Sequence, residues 1–276
     1  MSVLERAGYE ARRVVQTGRT FTNWPLLLRE MAAERVGRGG AELAFATRGG
    51  LRMSCPNVPG ARLPMYEQFA DDCYDRSWVL GADAPLSVLD VGAHVGAFAV
   101  NLASARPDVR VECYEPSPSS ARYLRHNLEA NGLASRVRVH ECALAGSVGT
   151  ALLDDNAGAS VHNGLIAGKH RLVAGADGAG RRGVLEVPTI TFARALAEAP
   201  APFDVVKLDC EGGEYAMVYA SSPGDWVSVR RIVLEYHPVA GESWDELRAW
   251  FAAAGFAVRR HKPGRPGLGT AWLARP

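Results

Sequence analysis

The chain has 276 residues, of which 47% are hydrophobic and 22% charged, and its formal net charge is +1. So much apolar surface in a chain of this length builds a full core and excludes a disordered protein. The near-zero charge, with basic pairs at Arg12–Arg13, Arg181–Arg182 and Arg230–Arg231 read as solvated surface, gives no electrostatic case for a nucleic-acid partner.

In chain order, Val3, Leu4, Ala7, Ala11, Val14 and Val15 recur at helical spacing over residues 1–20, and Asn23-Trp24-Pro25 caps a second helix from Leu26 to Val36. These helices read as a lid, and the stripe Trp24, Leu26, Leu27 and Leu28 as its inner face, as core, or as the contact of a homodimer. Two Gly-Gly pairs bracket a strand at 42–47 that pairs with 51–55 as a hairpin, and residues 66–74 predict a helix leading into the core. Residues 1–80 are therefore an extension, and residues 81–276 the main domain.

From Leu86 the pattern alternates strands (86–91, 109–115, 137–142, 204–209, 229–236) with helices (96–105, 117–131, 191–198, 212–220, 243–254). Such alternation predicts an α/β fold with parallel strands and helical crossovers. A Pro/Gly-rich turn at 261–269 joins two last strands, 256–261 and 270–274, as an antiparallel hairpin. The expectation is a seven-stranded, mostly parallel sheet with an antiparallel final strand. Between 143 and 188 the periodicity weakens, and residues 154–183 read as a long insertion that covers substrate.

The five cysteines, Cys55, Cys73, Cys113, Cys142 and Cys210, contain no C-x-x-C pair, which fits a reducing, cytoplasmic setting. No stretch approaches the roughly 18 apolar residues of a membrane span, and arginines at 6, 12, 13 and 19 interrupt any signal-like run, so no membrane partner is expected.

The chemistry concentrates at two strand ends. The buried-strand run of residues 86–91 ends in Asp90 and breaks into Gly92-Ala-His94-Val-Gly96 before a helix, the order that brings backbone N–H groups close to a ligand. A dinucleotide site would want G-x-G-x-x-G, which this spacing disfavours together with an NAD-dependent dehydrogenase. Glu115, about 20 residues past the turn at the end of the next strand, is placed to accept both ribose hydroxyls of a nucleoside. The second cluster is Lys207-Leu-Asp209-Cys-Glu211-Gly-Gly-Glu214 after the fourth strand, a K-x-D-x-E-G-x-E pattern.

Taken with Tyr114-Glu-Pro-Ser-Pro, His126-Asn-Leu-Glu-Ala-Asn-Gly-Leu and Glu235-Tyr-His237, these motifs closely resemble the FkbM-type family of S-adenosylmethionine-dependent methyltransferases over residues 66–256. The resemblance implies a Rossmann-like, class I methyltransferase fold. It also implies O-methylation of a small hydroxylated molecule, a secondary metabolite or sugar, as in antibiotic biosynthesis, with S-adenosylhomocysteine as product. N-methylation and a non-catalytic binding protein that keeps the fold are the alternatives.

The cofactor would lie against Asp90, Gly92, His94, Gly96, Glu115, Pro116, Cys142, Ala143 and Asp209, with Tyr66, Glu67 and Tyr74 closing over it. His94 departs from the family, which often has Asn there. As general base Asp209 ranks ahead of His237; alternatively Asp209 pairs with Lys207 or caps a helix, and His237 only begins the Pro238 turn. Glu211, Glu235 and His162 are candidate substrate ligands. Asp209, Glu211, Glu214 and Glu235 could gather a divalent metal, but acids at a helix start already stabilise its dipole, so a metal is not favoured.

Overall fold

The structure, a computed structural model, describes residues 3–58, 60–82, 84–155, 165–166 and 183–276. Helix α1 (Val3–Thr20) precedes α2 (Trp24–Glu34), which has Pro25 in its first turn. Asn23 does not cap α2 through its side chain. Its amide instead exchanges hydrogen bonds with Ala44 O (2.8 Å) and Ala46 N (3.1 Å) of β1 (Glu42–Ala46), which pairs antiparallel with β2 (Arg52–Pro56). The apolar stripe of α2 divides, with Leu27 in the core and Trp24 and Leu26 exposed.

The helix expected at 66–74 is displaced. Helix α3 (Leu63–Phe69) starts earlier at Leu63-Pro64, and the chain then turns through Asp72 and Asp75, whose φ values of 47° and 56° break any helix. The Asp75 carboxylate accepts from Trp78 N at 3.1 Å and so caps α4 (Arg76–Leu80), a helix absent from the sequence reading.

The α/β core then runs β3 (Leu86–Val91), α5 (Ala97–Ala105), β4 (Val109–Tyr114), α6 (Pro118–Ala130) and β5 (Val137–His140). The strand expected at 137–142 divides here. After His140 the chain leaves the central sheet, and β6 (Ala143–Leu144) joins a second sheet with β7 (Gly149–Asp155), β8 (Leu165–Ile166) and β9 (Gly183–Ile190), in the order β6-β9-β7-β8. The 143–188 region is thus bounded by strands: β7 and β9 pair antiparallel from Gly149↔Thr189 to Asp155↔Gly183. Pro188 inside β9 reads against a strand, which hid it. Most of the 154–183 insertion, His162 included, lies outside the described residues.

The chain returns through α7 (Phe192–Glu198), β10 (Val205–Leu208), α8 (Gly213–Tyr219), β11 (Arg231–Tyr236), α9 (Trp244–Ala253), β12 (Ala257–Pro263) and β13 (Gly269–Ala274). The central sheet has seven strands in the order β12-β13-β11-β10-β3-β4-β5, and β13 alone runs against the others. This is the expected Rossmann-like sheet with an antiparallel final strand.

Its middle strands are largely buried on both faces, which is why they read as near-continuous apolar runs. One face packs Phe98, Leu102 and Leu124 of α5 and α6; the other packs Phe192, Trp226 and Phe251. The first of these clusters continues without a break into Phe21, Leu27, Phe45 and Met53 of the N-terminal elements. Strand order reverses between β3 and β10, the place where an open α/β sheet leaves a crevice beyond its carboxyl ends. No helix among the described residues is long and apolar enough to cross a membrane.

Candidate active site

The crevice is a partly open cleft whose non-atom space, open mouth included, is about 890 Å³. Its walls come from the ends of four parallel strands, from α3, and from β6 and β7 of the second sheet.

The glycine turn is fixed from beneath by a buried ammonium. Lys207 on β10 donates to Gly92 O (2.7 Å) and Val91 O (3.2 Å), and its Nζ lies 3.1 Å from Asp90 and 3.5 Å from Asp209 Oδ2. Burial alone would disfavour that charge, but Asp90 and Asp209 outweigh it and hold the lysine well above its ordinary range. Asp90 therefore belongs to the support and not to the cleft lining. Gly92 does line the cleft, with φ at 76°, and a Cβ there would lie 1.8 Å from Asp209 O. Gly96, with φ at 84°, faces Leu124 of α6 instead, so its need for glycine is helix packing rather than ligand approach. Asn127 of α6 ties the turn to the hairpin, donating to Val95 O (2.8 Å) and Ser54 O (2.9 Å).

His94 lines the cleft with φ at 52°, and burial pushes its imidazole down to about 4, so the ring is neutral at physiological pH. Its backbone N–H donates to Glu115 Oε2 at 2.7 Å, and Ser117 N–H donates to Oε1 at 2.9 Å. Each Glu115 oxygen keeps a further acceptor site, as two ribose hydroxyls require. Burial raises the Glu115 carboxyl to about 7. Pro116, Tyr114, Ala143, Leu144 and Leu153 complete this wall. Cys142 does not reach it; the thiol packs against the apolar cluster on the α7 side.

The opposite wall is acidic and gathers Glu67, Asp209, Glu211 and Glu235 around His237. Tyr74 Oη sits 2.7 Å from Asp209 Oδ2 and 3.1 Å from Glu235 Oε2. Asp209 is pushed up by burial, but Lys207, His237 and the Tyr74 hydroxyl together hold it below the ordinary carboxylate range. Burial and the neighbouring Asp209 and Glu235 raise Glu67 to about 8, and burial raises Glu211 to about 7.

Glu214, fully buried at the start of α8, accepts from Gly212 N (2.9 Å) and His237 N (2.7 Å), and lies 3.2 Å from His237 Nδ1. Burial opposes charge on that ring, yet Glu214, Asp209 and Glu211 raise it to about 10. His237 is accordingly an imidazolium at neutral pH, suited to holding carboxylates or substrate oxygens rather than to taking a proton. Among the described residues no group of three or more His, Cys, Asp or Glu is arranged to hold a metal ion.

The structure brings Glu67, Gly92, His94, Glu115, Pro116, Ala143, Asp209, Glu211, Glu235 and His237 to one cleft and leaves out Asp90, Gly96 and Cys142. Tyr66 also stays away, bonded to Thr17 Oγ1 at 2.9 Å and edge-on to Phe21 and Phe45. Among the described residues neither α1 nor α2 lines the cleft, and the N-terminal contribution is Leu63, Pro64 and Glu67. Leu144 and Leu153 went unread because their strands did.

The chain is 26% identical over 231 residues to 31-O-demethyl-FK506 methyltransferase FkbM of Streptomyces tacrolimicus, covering 73% of this chain and 84% of that protein. It is 24% identical over 216 residues to methyltransferase sdnD of Sordaria araneosa, covering 71% and 82%. Among solved structures, the precorrin-6y C5,15-methyltransferase of Geobacter metallireducens matches with a TM-score of 0.43 and 14% identity, covering 75% of this chain and 88% of that one. A methyltransferase of Agrobacterium tumefaciens matches with a TM-score of 0.46 and 11% identity, covering 85% and 69%. The methyltransferase FkbM domain matches residues 90–258, from the carboxyl end of β3 into β12, and the chain belongs to that methyltransferase family.

Proposed function

We propose that the cleft binds S-adenosyl-L-methionine and that the chain methylates a hydroxyl of a small molecule, a secondary metabolite or a sugar moiety of one. The observation that carries this reading is the meeting, in one cleft, of Glu115 on one wall and an ionised Asp209 on the other. The residues fit the cofactor: Glu115 has acceptor capacity for two ribose hydroxyls, Ala143, Leu144 and Pro116 offer apolar surface, and His94 and Gly92 line the turn. When bound, the cofactor supplies an electrophilic methyl group.

Alignment and exclusion of water supply most of the acceleration in such a transfer, worth up to about 7–11 kcal/mol in well-oriented systems. Leu63, Pro64, Leu144 and Leu153 provide the dry surface. Asp209 Oδ2 is held by Tyr74 and Lys207, while among the described residues Oδ1 has only His237 Nε2 at 3.9 Å, so Oδ1 is the atom that receives the acceptor's proton. Glu211, Glu235 and His237 orient the acceptor. Methylation at oxygen is further supported by the Streptomyces relative, whose name specifies it.

Calorimetric titration of the full chain with S-adenosylhomocysteine and with NAD tests the reading. Binding of the first and not of the second is expected. No heat with S-adenosylhomocysteine would overturn it.

A further inference from the structure

The N-terminal part of the chain, outside the segment matched by the family domain, sends one side chain under the acidic wall. Tyr74 is fully buried there. Its carbonyl accepts from Trp272 Nε1 at 2.9 Å, its ring stands edge-on to Phe98 at 5.8 Å, and the next residue, Asp75, is paired with Arg260 at 3.0 Å. The phenol is therefore held from three sides, and its Oη reaches Asp209 Oδ2 and Glu235 Oε2 together.

A phenol owns one hydrogen and can donate one hydrogen bond. With both carboxyls ionised, one of the two contacts would set acceptor against acceptor in a buried place, which costs free energy rather than returning it. A second proton resolves the conflict. Tyr74 donates to one carboxylate and accepts from the other group as a carboxylic acid.

The surroundings decide which group is the acid. Asp209 has Lys207 at 3.5 Å and the His237 imidazolium at 3.9 Å. Among the described residues Glu235 has no ion-pair partner. The negative charge of Asp209, just after β10, faces it, and Glu67 on α3 and Glu211 just before α8 add to that charge wherever they ionise, while His237 and Lys207 oppose it. Cys73, beside Tyr74, also faces Glu235, and its thiol feels the positive charge of Lys262.

We propose that one proton bridges Asp209, Tyr74 and Glu235, with Glu235 carrying it as a carboxylic acid and Tyr74 positioning Asp209 as the ionised member whose Oδ1 faces the cleft. Tyr74 is a positioning residue. It occupies Oδ2, so that only Oδ1 meets the acceptor. The assignment of that acceptor rests on the methyl-transfer reading, whereas the bridge itself is a property of the chain without cofactor.

The test is a pH titration of the full chain carrying 13C-labelled Asp and Glu carboxyls, followed by NMR, in wild type, Asp209→Asn, Glu235→Gln and Tyr74→Phe. In wild type the Glu235 carboxyl titrates above the ordinary carboxylate range and Asp209 below it. In Asp209→Asn the bridge reverses, because the Asn amide donates to Tyr74 and Tyr74 donates to Glu235; Glu235 then falls by about one unit or more. Glu235→Gln, which keeps a donor toward the phenol, leaves Asp209 low, and Tyr74→Phe raises it.

Glu235 titrating in the ordinary range in wild type, or unmoved by Asp209→Asn, overturns the bridge. The two carboxyl variants carry the test even where Tyr74→Phe does not fold. Binding of S-adenosylhomocysteine, measured on the same samples, separates the outcomes: a missing bridge with intact binding refutes the bridge alone, and a bridge without binding refutes the cofactor reading alone.

Discussion

Replacing Gly92 by Ala presses one methyl group between two backbones. At φ 76° an L-residue pays roughly 1–2 kcal/mol for the left-handed conformation. The new Cβ would also lie 1.8 Å from Asp209 O and 2.8 Å from its carbonyl carbon, and neither atom can rotate away. Forcing β3 and β10 apart at their carboxyl ends adds about 1–3 kcal/mol, as overpacking of a tight interior does. The expected loss is thus about 2–5 kcal/mol, a large part of the roughly 5–15 kcal/mol that holds an ordinary domain together.

The same shift strains the Asp209 N–H bond to Val91 O (3.2 Å) and the Lys207 bond to Gly92 O (2.7 Å), so cofactor affinity falls with stability. Gly132→Ala isolates the backbone contribution, because Gly132 has φ 67° and nothing within 4 Å of its Cβ position. Urea unfolding of both variants, with S-adenosylhomocysteine titration beside it, is the assay. If Gly92→Ala unfolds at the same urea concentration as Gly132→Ala, the claim that glycine is required here by close approach is wrong.

Lys207→Met leaves the fully buried Asp90 without its cation and takes one cation from Asp209, and should cost about 3–5 kcal/mol in urea unfolding; a change under about 1 kcal/mol would show that the ammonium does not hold the turn. Glu115→Gln removes acceptor capacity at the ribose end and should weaken S-adenosylhomocysteine binding by about 10- to 100-fold, so unchanged calorimetric affinity would remove Glu115 from the site.

Glu67, Glu115 and Glu211 are raised, mainly by burial, to about 8, 7 and 7 from an ordinary 4.5. The folded chain then binds more protons than the unfolded one in that window, so their contribution is complete below about pH 4.5 and lost as pH rises toward 8. The urea midpoint of the cofactor-free protein should fall from pH 5 toward 8, and a rising midpoint would contradict those environments. His237, raised from 6.5 to about 10, contributes stability that is complete below pH 6.5 and disappears through about pH 10. The stability gap between wild type and His237→Gln should close over that interval, and a gap that does not vary with pH would mean an uncharged ring.

Much of the core and one edge of the site were legible in the residues themselves. The runs ending at Val91, Tyr114, Leu208 and Tyr236 are largely buried on both faces and so are mainly apolar, with Asp90, Glu112 and Lys207 the buried charged exceptions, and Ser117, Thr191 and Ser243 each cap the helix the pattern predicts. The K-x-D-x-E-G-x-E pattern likewise marked a strand end, which in an α/β sheet is where a ligand sits. These signals are local: a period, a cap, a turn.

What only the tertiary structure decided is which face each marked residue turns and what it meets across the chain. Asp90 turns inward to Lys207, Gly96 meets Leu124, and Cys142 packs away from the cleft, although each lies within two residues of one that lines it. The β7–β9 ladder pairs residues on either side of an insertion with no periodicity of its own, and Tyr74 reaches Asp209 and Glu235 from 135 and 161 positions away. Pairings of that kind leave no mark on neighbouring residues, because they form only after the sheet has closed and brought distant strand ends to one edge.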